Sequence, residues 1–215
     1  MITTKDLIFY HGTNTVFIDY IVKYGLGGYD IVRDSKGIEL LSKLDRLAEN
    51  RAPKKYMDFA SGMLRLSVTG ILLQTPGDFM NWQHGDVYIT PSLPRALRYA
   101  VENVFGSELF TFIYNIYNFL TEHEIYEARD MLSDYLIVKE IISKNGNPIV
   151  IEISNLSETD LLTEGGADSK RVLNKLQDLS RQHLELENDY LDNFGFRLNK
   201  TIPYDQLIIH PIKKS

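Results

Sequence analysis

The chain has 215 residues, 44% of them hydrophobic and 24% charged, which are ordinary values for a globular protein with a sizeable core. It has no cysteine, so a disulfide framework, a thiolate metal site and a cysteine nucleophile are excluded. Its formal net charge of −6 argues against a general nucleic-acid binder held mainly by phosphate contacts, because such proteins are usually basic.

The first predicted elements are a strand and a helix. Leu7 to Tyr10 is a short apolar run typical of a buried strand. A helix follows, capped by Asn14 or Thr15 and ended by Gly25. We therefore expect a strand-to-helix turn near residue 12.

Later segments alternate between helical and extended patterns. Leucines at helical spacing predict a helix from Lys36 to Asn50, whereas apolar residues from 64 to 68 alternate as in a strand. Further strands are predicted at 86–90, 148–153, 196–202 and 207–212. Further helices are predicted after Ser92, at 108–120, at 122–143 with a capping box at 121–124, and at 170–186. Because these elements are mixed without βαβ regularity, we expect an α+β fold.

The segment Tyr10-His11-Gly12-Thr13 is the first candidate for chemistry. A glycine at the end of a strand lets a ligand approach the backbone, and a histidine there can donate or accept one aimed hydrogen bond. Alone, the tetrapeptide favours a plain strand-to-helix turn with a partly buried histidine.

Two tyrosines form the second candidate. Tyr88 lies on the strand Asp86-Val87-Tyr88-Ile89-Thr90, and Tyr99 lies on the next helix within Ala96-Leu97-Arg98-Tyr99-Ala100. Two aromatic rings can sandwich a flat heteroaromatic ligand, and a pyridinium ring adds a cation–π attraction. The alternative is that both are core aromatics, since the chain has 13 tyrosines.

Taken together, these segments resemble the His–Tyr–Glu class of ADP-ribosyltransferases, which includes diphtheria toxin and the poly(ADP-ribose) polymerases. Residues 9–26 resemble the first block of the family, and residues 86–100 resemble the second. The resemblance implies one ADP-ribosyltransferase-like domain over 1–215, with a split mixed β-sheet and helical insertions at about 29–83 and 101–145.

The resemblance also implies a site for NAD⁺, used as substrate, with no metal. His11 would hydrogen-bond a ribose hydroxyl, the backbone of Gly12 would hold the nicotinamide carboxamide, and Thr13 belongs to the same stretch. Tyr88 and Tyr99 would stack on the nicotinamide ring. A fixed carboxylate would stabilise the positive charge that develops on the ribose.

The identity of that carboxylate is open. The most natural register of the resemblance places Gly195 where the family has its glutamate. Asp189, in a run similar to one in diphtheria toxin, and Glu187, in a Glu-x-Glu arrangement, are equal alternatives. The stretch 164–168, which begins with Glu164, is interpreted as an acidic surface turn rather than a metal site.

Two functions other than a transferase are also considered. A degenerate module could bind NAD⁺ or ADP-ribose without turnover, as the missing glutamate favours. An RNA 2′-phosphotransferase-like enzyme would need a basic cluster around Arg197 and His11, although Tyr88 argues against it.

The resemblance implies a mono-ADP-ribosyltransferase toxin of a toxin–antitoxin or phage-defence system, with an antitoxin or immunity protein as partner. Its acceptor would be a protein or a nucleic acid. A nucleic-acid acceptor predicts that Arg51, Lys54, Lys55 or Arg65 lies beside the pocket. With no apolar run long enough to span a bilayer and no signal-peptide pattern, we expect a cytoplasmic chain without a membrane partner.

Overall fold

The architecture comes from a computed structural model, which describes residues 7–75, 81–164, 169–181 and 191–212. The described residues form ten α-helices: α1 (Ile18–Tyr24), α2 (Ile31–Ser35), α3 (Gly37–Arg51), α4 (Pro53–Phe59), α5 (Met63–Leu73), α6 (Leu93–Glu102), α7 (Glu108–Glu122), α8 (Glu127–Ser133), α9 (Leu136–Ser143) and α10 (Lys170–Arg181). They also form six strands: β1 (Phe9–Asn14), β2 (Tyr88–Ile89), β3 (Pro148–Ile153), β4 (Leu161–Thr163), β5 (Phe196–Leu198) and β6 (Leu207–Pro211).

The strands form two three-stranded sheets. Their orders are β1-β3-β6 and β2-β5-β4. The expected α+β class is confirmed. Every pairing between the described strands is antiparallel, so the expectation of a mixed sheet is corrected.

The two sheets meet at the backbones of Tyr10 and Thr90. The amide of Tyr10 donates to the carbonyl of Thr90 at 2.7 Å, and the amide of Thr90 donates back at 3.0 Å. Phe9 and Phe196 reinforce this junction below the backbone, because their buried rings pack edge to face with centroids 5.5 Å apart. The sheets are therefore joined at one end of β1 and β2 and separate beyond it.

Two clusters of buried apolar residues hold the molecule together. The helical cluster lies among α3, α4, α5, α7, α8 and α9. Its fully buried members include Leu40, Leu41, Leu44, Ile71, Leu109, Phe110, Ile113, Ile116, Val138 and Ile141. The sheet cluster lies among the strands and α10, and includes Phe9, Ile89, Ile151, Ile153, Leu161, Leu173, Leu176, Phe196 and Ile202. Phe17 packs against both clusters and joins them.

Four local predictions are wrong. The single helix predicted at 122–143 is two helices, α8 and α9. The strand β1 does not stop at Tyr10 but continues to Asn14, because residues 11–14 pair with β3. The segment 64–68 belongs to helix α5, where Val68 and Ile71 are buried one turn apart in the helical cluster. The expected capping box at 121–124 does not form, because α7 runs on to Glu122 and α8 begins only at residue 127.

Several helix ends were predicted correctly from local chemistry. The side chain of Asn14 accepts a hydrogen bond from the backbone amide of Val16 and so caps the 3₁₀ turn Thr15–Phe17, which leads into α1. Helix α1 itself has no side-chain cap, and Gly25 ends it with a positive φ. Ser92 caps α6 by accepting from the amide of Arg95. Of the described helices, none is long and apolar enough to cross a membrane.

Candidate functional site

A cavity of about 460 Å³ lies between β1, β2, α6 and the helical cluster. Its volume falls in the range of about 300–1,000 Å³ that is usual for small-molecule sites. The five residues predicted to contact NAD⁺ all line it: His11, Gly12, Thr13, Tyr88 and Tyr99. Residues that are 75 to 88 positions apart in sequence therefore meet around one space.

His11 is held in one orientation by the backbone of β2. Its Nδ1 atom lies 2.7 Å from the carbonyl oxygen of Tyr88. Because a carbonyl can only accept, Nδ1 carries the proton and Nε2 of the neutral ring is left as an acceptor. Burial lowers the pKa of His11, and the bond to the Tyr88 carbonyl offsets this only in part. The geometry suits a neutral histidine that accepts a hydrogen bond from a hydroxyl.

Gly12 places free backbone groups beside the cavity. In a strand, backbone groups of alternate residues face the same edge. Since the amide and carbonyl of Tyr10 face Thr90, those of Gly12 face the same way, past the point where the sheets separate. Outside the pairing of β1 with β3, no described residue forms a hydrogen bond with the amide or the carbonyl of Gly12.

The need for glycine at position 12 has a different cause from the one expected. A Cβ at Gly12 would overlap the carbonyl oxygen of Ala96 and lie 3.0 Å from the amide of Ala100. The small residue therefore lets helix α6 pack directly on β1, and this brings Tyr99 of α6 to the cavity.

Thr13 and Asn14 anchor the end of β1. The hydroxyl of Thr13 donates to the carbonyl of Gly106 at 3.4 Å, and Nδ2 of the Asn14 side chain donates to the carbonyl of Val104 at 2.9 Å. The Thr13 side chain is buried and bonded within the protein, so it positions β1, and its residue lines the cavity.

Tyr88 has a buried hydroxyl with no hydrogen-bond partner among the described residues. Burial raises the pKa of the Tyr88 hydroxyl, and the nearby side-chain amide of Asn81 opposes this without meeting the geometry of a hydrogen bond. Buried polar atoms are nearly always paired with protein, water or ligand. An unpaired hydroxyl that lines a cavity is therefore expected of a site that binds a polar molecule.

Tyr99 lines the same cavity from helix α6. It keeps 36% of its surface exposed, and burial raises the pKa of its hydroxyl. Among the ring contacts of the described residues, none joins Tyr99 to Tyr88. The two rings therefore line one cavity without stacking on each other. A flat ligand that stacks between them would require this.

Sequence reasoning did not find several residues of the wall. Trp82 lies so close to α5 that a Cβ at Gly70 would overlap its indole ring. The side chain of Gln74 accepts from the amide of His84 at 2.9 Å and donates to the carbonyl of Trp82 at 3.3 Å. These contacts fix the segment before β2 against the helical cluster. No local pattern marks them, because they join a helix to an irregular segment.

Carboxylates also reach the cavity. Within the described part of the chain its wall includes Asp86, Glu108 and Glu164. Of the surface turn predicted at 164–168, only Glu164 is described: it lies in a turn, but its side chain is 15% exposed and pairs with Arg95 at 2.9 Å. Residues 165–168 lie outside the described residues. Two predicted carboxylates, Asp189 and Glu187, lie outside the described residues.

The predicted basic clusters do not form at this cavity. Arg197 pairs with Asp86 at 2.9 Å and lines a second cavity of about 310 Å³, whereas His11 lines the first. Four basic residues named for a nucleic-acid acceptor are absent from the described lining of the main cavity: Arg51, Lys54, Lys55 and Arg65. Arg51 and Arg65 are instead ion-paired, with Glu127 and Glu49.

Comparisons with known proteins return no relative: no family model matches the chain, and no curated protein or solved structure matches it.

Proposed function

We propose that this chain binds NAD⁺ and transfers its ADP-ribosyl group to an acceptor. The observation that carries the proposal is the shared cavity of His11, Gly12, Tyr88 and Tyr99. These residues offer an acceptor nitrogen, backbone groups of Gly12 that have no described partner on the cavity side, and two aromatic rings. A nicotinamide riboside needs partners of these three kinds, namely for its ribose hydroxyl, its carboxamide and its ring.

The architecture also supports the proposal. The division into two three-stranded sheets agrees with the split sheet that the resemblance implies, and the cavity lies where β1 and β2 separate. Helices occupy the two long stretches that match no block of the family, with α2 to α5 in the first and α7 to α9 in the second. That one domain spans the chain stays a prediction.

The phosphotransferase alternative has less support. It requires basic groups beside His11, and Arg197 is engaged with Asp86 at the second cavity. The alternative of a binding module without turnover is favoured by Gly195 at the glutamate position, and it differs from a transferase in one measurable step.

The deciding experiment measures binding and turnover on the same preparation. Isothermal titration with NAD⁺ gives the affinity, and a nicotinamide-release assay gives the rate. A transferase binds and releases nicotinamide, and His11→Ala and Tyr88→Ala each abolish the release while the chain stays folded. Binding without release identifies the module, and the absence of both contradicts the proposal.

The acceptor we propose is a macromolecule, a protein or a nucleic acid, and the biological setting is a toxin of a toxin–antitoxin or phage-defence system. The test is expression in a bacterial host. Expression of the wild-type chain should arrest growth, and expression of His11→Ala should not. Equal growth of the two strains would contradict the proposed role as a toxin. Mass spectrometry of labelled protein and nucleic acid from arrested cells then identifies the acceptor class.

A further inference from the structure

Glu164 fills the place that a side chain at Gly195 would take. Strands β4 and β5 pair so that Thr163 lies opposite Phe196, which puts Glu164 opposite Gly195 one step further along. A Cβ at Gly195 would overlap Oε1 and Cδ of Glu164 and lie 2.9 Å from its Cγ. The carboxylate of the residue that follows β4 therefore occupies the volume that a side chain at the residue before β5 would take.

The carboxylate is held there by Arg95. The Nη2 atom of Arg95 donates to Oε1 of Glu164 at 2.9 Å, while Nη1 donates to the carbonyl of Asp192 at 3.0 Å. Charge-assisted bonds of this kind fix orientation as well as charge. In the described part of the protein, no hydrogen bond uses the second oxygen, Oε2. Glu164 also lines the main cavity.

We propose that Glu164 is the catalytic carboxylate, supplied by β4 to the position that the family resemblance assigns to Gly195 at the start of β5. The inference rests on the proposed function, because it names the missing group of that reaction. Arg95 is then a positioning residue, because its bond to Oε1 orients the carboxylate.

The chemistry asked of Glu164 is electrostatic. The bond between C1′ of the ribose and N1 of nicotinamide breaks, and its electron pair goes to N1, so that nicotinamide leaves neutral. Positive charge passes to the ribose as an oxocarbenium, which the carboxylate stabilises. A nucleophile of the acceptor, or water, then forms the new bond at C1′ and loses its proton to solvent or to a carboxylate. NAD⁺ and the acceptor give nicotinamide, ADP-ribosyl acceptor and one proton.

The other described carboxylates of the cavity suit this task less well. Asp86 is 45% exposed, against 15% for Glu164, so solvent screens the charge of Asp86 more strongly, although each carboxylate is paired with one arginine. Burial raises the pKa of Glu108, which favours its neutral form. Glu164 is therefore the described carboxylate that combines a position in the cavity wall, low exposure and an orientation fixed by Arg95.

The first test replaces the charge and keeps the shape. Glu164→Gln can still accept from Arg95, so we expect its nicotinamide-release kcat to fall by about 100-fold or more. We expect the Kd for NAD⁺ to change by less than about 3-fold, because the loss concerns the transition state. The matched control is Glu49→Gln, which removes an ion-paired carboxylate outside the cavity lining and should leave the rate unchanged.

The second test moves the carboxylate between strands. Glu164→Ala should lose nicotinamide release. The double variant Glu164→Ala/Gly195→Glu should release nicotinamide at least about 10-fold faster than Glu164→Ala, since the charge returns to the same volume. Gly195→Ala should lower the melting temperature by about 2–8 °C in the wild-type background because of overlap with Glu164. In the Glu164→Ala background the same change should cost less than about 2 °C.

The outcomes separate this inference from the proposed function. A wild-type chain that binds NAD⁺ but releases no nicotinamide overturns both. A wild-type chain that releases nicotinamide while Glu164→Gln keeps a similar rate overturns the inference alone, as does a loss of release in Asp189→Asn or Glu187→Gln instead. Equal destabilisation by Gly195→Ala in both backgrounds contradicts the shared volume.

Discussion

The Nδ1 atom of His11 lies 2.7 Å from the carbonyl oxygen of Tyr88, so the ring on β1 is oriented by the backbone of the residue whose own ring lines the cavity from β2. Two of the predicted ligand contacts are therefore coupled. A change at either residue is expected to alter the position of the other, and their effects on binding should not be additive.

Removal of the His11 ring is expected to abolish nicotinamide release. His11→Ala deletes the acceptor Nε2 and one hydrogen bond to β2, and a typical bond of this kind is worth about 1 kcal/mol. The chain should therefore stay folded, with far-ultraviolet circular dichroism unchanged at 25 °C. Release at the wild-type rate would remove His11 from the site.

Stability should depend on pH through the partly buried side chains of His11 and His84. Burial lowers the pKa of His11 and of His84, so below about pH 6.5 the unfolded chain binds protons that the folded chain does not. The free energy of unfolding should be constant with respect to these groups above that pH and should fall as the pH falls below it. Urea titrations from pH 7.5 to 5.5 measure the slope.

A matched variant identifies the His11 share of this slope. His11→Asn keeps a donor for the Tyr88 carbonyl but does not titrate, so its slope between pH 6.5 and 5.5 should be shallower than that of the wild type. Identical slopes would show that His11 is as readily protonated in the folded state as in the unfolded state.

Tyr88 should tolerate loss of its hydroxyl better than loss of its ring. Tyr88→Phe removes a buried polar atom without a described partner, so we expect the melting temperature to rise by about 2–4 °C. Tyr88→Ala removes the stacking surface and should abolish nicotinamide release. Thermal unfolding and release assays on both variants test this, and a Phe variant as inactive as the Ala variant would contradict a role for the ring.

Gly12→Ala is expected to destabilise the fold through packing. Its Cβ would overlap the carbonyl of Ala96, and overpacking of this kind costs about 1–3 kcal/mol. Gly62→Ala is the comparison, because that position has a positive φ but no atom within 4 Å and so reports backbone strain alone. In chemical denaturation, the free energy of unfolding of Gly12→Ala should be lower than that of Gly62→Ala. The reverse order would contradict the packing of α6 on β1.

Features that depend on near neighbours in sequence could be predicted, whereas features that depend on the pairing of distant strands could not. The capping side chains of Asn14 and Ser92 and the stop at Gly25 depend on near neighbours and were predicted correctly. The position of Glu164 depends on the register of β4 against β5, which sets residue 163 opposite residue 196. Both strands have only three residues, so no periodic pattern could reveal that register.

Trp82 is the single tryptophan of the chain, and its indole forms part of the cavity wall against Gly70. The tryptophan fluorescence of the protein therefore reports on the main cavity alone, because no second indole contributes to the signal. Occupancy can then be followed optically in unlabelled wild type and variants alike, even in those that no longer turn over.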